Sequence, residues 1–242
     1  VRRRRRNGVK CVSVSVPPRQ LAFALPHVES LSRDDFLDGA CNAAGLALID
    51  SWPDWPSRTM MLVGAEGSGK SHLAAIWAAA AGARVTAAHA LTATAVPAEL
   101  ATGALVVEDV DPATMDERAM FHLLNLARET EAFVLMTARQ PPASFEIGLR
   151  DLRSRLRAVP VVTLAEPDDG LFRALIVKLG ADRQMQFDEA MVSYLASRIE
   201  RSFAAARRAV ERLDAESLRL GRPVTRALAA EVLRDGEGGE ER

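Results

Sequence analysis

Two apolar patterns alternate along the chain as far as Glu166. Short continuous runs recur at Thr59–Val63 (TMMLV), 104–107 (ALVV), 132–136 (AFVLM) and 159–164 (VPVVTL), with 83–87 (ARVTA) a weaker member of the set. Runs this brief, unbroken by polar alternation and bounded by glycine, proline or charge, predict strands covered on both faces, as in a parallel sheet. Helical patterns lie between them. Residues 72–81 are rich in good helix formers, and 116–130 (DERAMFHLLNLARET) place Met120, Leu123, Leu124 and Ala127 on one face. An earlier helix is expected to open at Ser32, with Asp35 as an acidic variant of the capping box, and to run through 42–49. It stops before the rigid loop Trp52-Pro53-Asp54-Trp55-Pro56. Trp52 and Trp55 read more readily as packing between this loop and the helix than as platforms for a base. Residues 92–103 carry little periodicity and predict a loop with a short helix.

Beyond Pro167 the strand pattern disappears. Helices are predicted over 168–179, 188–198, 202–220 and 225–233, separated at Gly180 and at Gly221-Arg222-Pro223. The chain therefore reads as an α/β domain over 28–166 with a parallel sheet, followed by a small all-helical lid over 167–234. Residues 1–18, ending in Pro17-Pro18, predict an unstructured leader, and 235–242 (DGEGGEER) an acidic, glycine-rich tail. Residues 20–25 (QLAFAL), a polar anchor before closely spaced apolar side chains, suit either a peptide that docks in a groove or a first edge strand. Composition alone leaves both open.

Composition changes this picture little. The 242 residues are 48% apolar and 26% charged with a formal net charge of −1, so nothing in the whole chain favours nucleic acid electrostatically. The arginine run at 2–6 has no interleaved aromatic residue and reads as a disordered end rather than a nucleic-acid arm. Residues 9–16 are broken by Lys10 and two serines, which argues against a signal peptide. No stretch approaches the roughly 20 apolar residues of a membrane span. Cys11 and Cys41 are too few for a disulfide framework, and a reducing cytoplasm is expected. His27, His72, His89 and His122 lack metal-ligand spacing, and neither cysteine has a local motif with a histidine.

The candidate chemistry lies at 64–71, GAEGSGKS, which fits the phosphate-binding pattern G-x-x-x-x-G-K-[ST] at every fixed position. A strand before it and a helix after it supply the context the pattern needs. Glycines let successive N–H groups turn toward phosphate oxygens, and the helix N-terminus adds partial positive charge there. Lys70 supplies a point charge for the β- and γ-phosphates, and Ser71 a hydroxyl for Mg²⁺. Glu108 and Asp109 close the run 104–107, where ligands bind in open α/β sheets, and make a Walker-B-like site. Residues 149–157 (LRDLRSRLR) carry four arginines at 150, 153, 155 and 157. Spacing alone does not rank them.

With residues 34–55 (DDFLDGACNAAGLALIDSWPDW), GAEGSGKSHL, LVVED and LRDLRSRLR in view, the chain resembles the DnaA-related AAA+ proteins. Within them it is most similar to the Hda-like branch, which inactivates the bacterial replication initiator. The resemblance runs from Gln20 to about residue 233, and the block before the P-loop, with Phe36 and Asn42, is its most telling part.

The resemblance implies adenine nucleotide, ATP or ADP, with Mg²⁺, bound by Gly64, Gly67, Ser68, Gly69, Lys70, Ser71 and His72. Ser71 and Glu108 would hold the ion, Glu108 standing where the family usually has aspartate, and Asp109 would polarise water. Thr137 matches the sensor-1 region, although Ala138 follows where relatives more often carry a polar or acidic residue. Arg155 resembles the finger given in trans to a neighbouring subunit's ATP, and Arg201 is matched to sensor 2, with Arg207 and Arg208 as rivals.

The resemblance also turns 19–27 into a sliding-clamp-binding peptide, with Gln20, Leu21, Phe23 and Leu25 as its contacts. It implies a negative regulator of replication initiation that binds the DNA polymerase III sliding clamp (beta subunit) and stimulates ATP hydrolysis by DnaA. Its own ATPase would be weak at most. No helix-turn-helix follows the lid in this sequence, so sequence-specific DNA binding is not expected, nor a membrane partner; a homo-oligomer is compatible. A helicase-loader-type ATPase that binds single-stranded DNA and a replicative helicase is the alternative, and it leaves residues 20–25 without a role. A metabolic P-loop kinase would need a polar substrate site in the lid, which the sequence lacks.

Overall fold

A computed structural model of the chain describes residues 31–237. In chain order its elements are α1 (Ala43–Asp50), β1 (Thr59–Val63), α2 (Lys70–Ala81), β2 (Arg84–Ala87), α3 (Val96–Glu99), β3 (Ala104–Glu108), α4 (Glu117–Glu129), β4 (Phe133–Ala138), α5 (Arg150–Ala158) and β5 (Val161–Thr163). Helices α6 (Asp169–Asp182), α7 (Glu189–Ala196), α8 (Phe203–Leu220) and α9 (Arg226–Glu237) follow. The strands form one parallel sheet in the order β2-β3-β4-β1-β5, with Thr59 opposite Val134 and Val107 opposite Met136.

The unbroken apolar runs now have a physical reason. Alternate residues of each inner strand enter different cores. Met61, Val63, Leu105, Val107, Val134 and Met136 pack with α4 and α5 through Met120, Leu123, Leu152 and Leu156. Met60, Leu62, Ala104, Val106 and Leu135 face the other way, onto Leu46, Ile49, Leu73 and Trp77 of α1 and α2. The helices α6–α9 close a third core of their own around Phe172, Ile176, Leu195, Val210 and Leu213. Leu37, ahead of α1, also packs against this third core. No helix among the described residues is long and apolar enough to cross a membrane.

Four helices open where the sequence placed their starts. Asp116, Asp168, Asp188 and Ser202 each accept a backbone N–H with their side chains at the openings of α4, α6, α7 and α8. The first helix departs from expectation. Ser32 caps no helix; its hydroxyl donates to the Asp35 carboxylate at 2.7 Å within a turn over 33–35. Helix α1 begins only at Ala43. The cause is Asn42, wholly buried, whose Oδ1 accepts from the Gly39 N–H at 2.9 Å while its Nδ2 donates to the Leu37 carbonyl at 2.9 Å. These bonds hold 37–42 as a loop and compete successfully with helix formation.

Trp55 packs as expected. Its indole stacks on Trp77 with ring centroids 4.9 Å apart, and its Nε1 donates to the Leu48 carbonyl at 2.7 Å. Trp77 is fully buried but its Nε1 has no hydrogen-bond partner. The two rings therefore predict losses of different size. Trp55→Ala is expected to cost about 3–5 kcal/mol from lost packing and a cavity, whereas Trp77→Phe, which removes a dissatisfied donor, should cost less than about 1.5 kcal/mol. Urea unfolding followed by far-ultraviolet circular dichroism measures both.

Candidate functional site

The loop between β1 and α2 is shaped by three glycines. Gly67 and Gly69 have φ of +69° and +94°, a region that disfavours side chains. At Gly64 a Cβ would lie 2.6 Å from the Ser68 hydroxyl and 2.8 Å from the Leu164 carbonyl, so only hydrogen fits. The loop curls around Lys70, whose Nζ donates to the carbonyls of Gly64 (2.8 Å) and Ala65 (2.7 Å) and, at 3.4 Å, to the buried Ser68 hydroxyl. All three acceptors are neutral. Burial pushes the Lys70 ammonium below the ordinary lysine range, and Arg139 lowers it further, against the pull of Asp109, Glu108 and Glu66. A buried cation held only by neutral oxygens, beside a helix N-terminus and a glycine cradle, fits an anionic ligand such as a phosphate chain.

The acidic pair sits opposite. Burial raises the Glu108 carboxyl above its usual range, and a hydrogen bond from Ser71 works against that shift. Ser71 and Glu108 are therefore adjacent, as a shared cation would require. Among the described residues no group of three His, Cys, Asp or Glu side chains forms a metal site. An ion here would take two protein oxygens and complete its shell with water and phosphate, the usual habit of Mg²⁺.

Asp109 takes φ of +54° and is held there from beneath: its N–H donates to Thr137 Oγ1 at 2.9 Å, and the next N–H, of Val110, donates to the Thr137 carbonyl at 2.8 Å. Thr137 is wholly buried. Thr137 thus supports Asp109 from below, while Arg139, two residues on, lines the cavity.

That cavity encloses about 560 Å³ between the phosphate loop, the turn before α1, and the lid helices α6 and α8. Gly67, Gly69, Lys70, Ser71, Asp109 and Arg139 give it a polar wall, and Phe36, Leu37, Leu175, Leu179 and Phe203 an apolar one. His72 also borders it, and its Nε2 lies 2.9 Å from the Ser32 carbonyl with its ring edge-on to Phe36 at 5.1 Å. Burial lowers the His72 pKa.

The lid reaches the loop through α8. The Phe203 N–H donates to the Gly67 carbonyl at 3.0 Å, and a Cβ on Gly67 would lie 2.5 Å from that of Ala204. Glu66 meets Arg139 at 2.9 Å and Arg208 of α8 at 4.0 Å. Arg201 is elsewhere: it precedes the Ser202 cap and pairs with Asp169 at 3.3 Å. Arg207, one turn beyond Phe203 on the same face, borders the cavity instead. Of the lid arginines considered for sensor 2, Arg207 borders the cavity and Arg201 does not.

Arg155 does not line the cavity. Its guanidinium lies over the Phe121 ring of α4 at 5.2 Å. The structure sorts its neighbours: Arg153 is tied to the Ile147 carbonyl through Nε at 3.0 Å and also through Nη2, and Arg157 reaches the Ala143 carbonyl at 3.4 Å. The helix that carries them is anchored by Glu117, whose two carboxylate oxygens accept the N–H groups of Gly148 and Leu149, each at 2.8 Å. Glu66, Glu117 and Arg139 were not singled out in the sequence; each acts across a tertiary contact that no local pattern encodes. Gln20, Leu21, Phe23 and Leu25, with the leader and the end of the tail, lie outside the described residues.

Comparison with known proteins gives consistent likenesses. No family model matches the chain. It is similar to the chromosomal replication initiator protein DnaA of Thermomicrobium roseum, 25% identical over 138 residues that cover 55% of this chain and 29% of that protein. Domain III of the Thermotoga maritima replication initiation protein DnaA superposes with a TM-score of 0.68 at 17% identity, covering 85% of this chain and 96% of that one. AMPPCP-bound DnaA from Aquifex aeolicus gives 0.59 at 18% identity over 74% of this chain and 63% of that one. The chain thus spans under a third of the curated relative and has the AAA+ fold expected from its sequence.

The contact between loop and lid generates a prediction. Gly67→Ala places a methyl group at positive φ, costing about 1–2 kcal/mol, and drives it against Ala204. Amide hydrogen exchange at Phe203 is expected to accelerate as α8 lifts off the loop, while the amides of β1 and β4 keep their protection.

Proposed function

We propose that this chain is a nucleotide-binding regulator of DnaA-dependent replication initiation, and that its main chemical act is to lend Arg155 to another protein's ATP. The observation that carries the reading is the separation of two machineries within one fold. The phosphate loop, Lys70 and the acidic pair converge on one cavity. Arg155 stands on a different helix, α5, beside Phe121 and away from that cavity. An arginine that does not line the chain's own cavity suits a nucleotide in a neighbouring subunit. The likeness to DnaA supports DnaA as that neighbour.

In this reading the P-loop amides and Lys70 bind the phosphates of ATP or ADP, and Arg207 reaches the site from the lid. Ser71 and Glu108 would hold Mg²⁺, which would offset phosphate charge. Glu108 carries one methylene more than the aspartate usual in relatives, which moves its carboxylate outward and favours binding over turnover. Bound nucleotide bears on Gly67 and hence on α8, so its role is to set the attachment of the lid. Arg155 then stabilises charge on the γ-phosphate of DnaA-bound ATP, an interaction worth about 10³–10⁵ in rate. Residues 20–25 would dock on the sliding clamp, with Gln20 in a polar subsite and Phe23 and Leu25 in an apolar one, bringing the protein to loaded DNA.

Two measurements test this. Hydrolysis of DnaA-bound ATP on clamp-loaded DNA is expected to fall by at least about 100-fold with Arg155→Ala, while the variant's own nucleotide affinity stays as in the parent; undiminished stimulation removes the finger assignment. Gln20→Ala with Leu25→Ala is expected to abolish retention on immobilised clamp, and unchanged retention removes that partner.

A further inference from the structure

Helix α5 lacks a cap of its own. Leu149 stands at its N-cap position, offers no side-chain acceptor, and is exposed. The missing acceptor comes from α4, where the two carboxylate oxygens of Glu117 take the N–H groups of Gly148 and Leu149 at 2.8 Å each. We propose that Glu117 is a positioning residue for Arg155, holding α5 at the depth and rotation from which that arginine reaches another protein's ATP. The inference rests on the reading of Arg155 as a finger given in trans.

Helix α5 has few other constraints. Its nine residues are too few for a helix stable in isolation. Leu152 and Leu156, one turn apart, are its buried side chains and enter the core shared with α4. A single apolar row presses the helix inward but would by itself let it slide along the row and roll about it. Glu117 removes that freedom, because two N–H groups converging on one carboxylate define both a position and a direction. Its negative charge also lies at the positive end of the helix dipole. Within the same turn the Arg153 Nε donates to the Ile147 carbonyl at 3.0 Å. The residues that lead into α5 thus have their N–H groups held from α4 and a carbonyl held from α5.

Helix α4 is a firm base for this. Asp116 caps it through the N–H groups of Arg118 and Ala119, and Ala119, Met120, Leu123, Leu124 and Ala127 bury its inner face. Glu117 and Phe121 stand one turn apart on α4, and the Arg155 guanidinium lies over the Phe121 ring. One side of α4 therefore meets α5 twice, at Leu149 and at Arg155, about 9 Å apart along its axis at roughly 1.5 Å per residue. A guanidinium that must meet a phosphoryl group in a neighbouring subunit is sensitive to placement, and a displacement of about 1 Å can cost about 100-fold in rate. Binding, spread over a whole surface, tolerates such a shift. Loss of Glu117 is therefore expected to fall on rate and not on affinity.

Single-turnover hydrolysis of DnaA-bound ATP on clamp-loaded DNA, followed against the concentration of the full chain, tests this. Glu117→Ala is expected to lower the plateau rate at least about tenfold, while the concentration giving half the plateau changes less than about twofold. Glu117→Gln keeps the size of the side chain but offers one oxygen to two N–H groups, and is expected to fall between Glu117→Ala and the parent. In an Arg155→Ala background neither change is expected to slow the residual rate further, because Glu117 acts only through that arginine. A merely structural fault slows both backgrounds alike. Unchanged plateau rates in both Glu117 variants, a loss carried by the half-plateau concentration, or additive losses with Arg155→Ala each overturn the assignment while leaving the finger standing. Undiminished stimulation by Arg155→Ala itself removes the finger and this inference together.

Discussion

The ammonium of Lys70 is taken out of water and given two backbone carbonyls and a hydroxyl in return. Those partners exist only because Gly64 lets the loop close over Ser68 and Leu164, and because Gly67 and Gly69 adopt left-handed backbone conformations. Everything near the site answers to this one buried charge. Its pKa is lowered by burial, Asp109 and Glu108 act on it from the sheet, and the lid reaches the same loop through Gly67. An incoming phosphate would exchange dipoles for full charge around Lys70, and the loop's two outer residues, Glu66 and Gly67, are the ones that touch the lid.

The sheet makes that arrangement rigid. Because alternate residues of β1, β3 and β4 enter two different cores, no strand can slip by one position without inverting both at once. The turn that carries Asp109 rests on this framework through Thr137, which spends its hydroxyl as an acceptor for a backbone donor beneath the site. The lid has its own core, against which Leu37 packs, and joins the α/β part further through polar and backbone contacts near the cavity. Stability is thus concentrated within the two units, and the seam between them is left adjustable.

What could be read from the sequence divides along the same physical line. The inner strands β1, β3 and β4 were legible because burial on both faces removes polar alternation, and the starts of α4, α6, α7 and α8 lie at Asp116, Asp168, Asp188 and Ser202, whose side chains bond N–H groups three residues or fewer away. The phosphate loop was legible because its backbone geometry requires particular residues. Ser32 misled because its signal is also local, whereas the decision was taken by Asn42, whose bonds reach back to Gly39 and Leu37. That Arg207 rather than Arg201 borders the cavity depends on which face of α8 meets the loop. Arg139 was hidden behind Thr137 because a motif fixes a strand end but not which side chain leaves it toward the ligand. Glu117 holds the start of α5 from across a loop, and no spacing rule relates residues so far apart in sequence.

The hydrogen bond from Phe203 to Gly67 has a mechanical side. Helix α8 has 18 residues, which makes it a rod roughly 27 Å long. One end of that rod is pinned to the phosphate loop by main-chain atoms. A tilt of about 10° at that end sweeps the far end, near Gly221, through about 5 Å. A sub-ångström adjustment around a phosphate can in this way become a displacement large enough to make or break a protein contact on the distant surface, with the helix itself unchanged along its length.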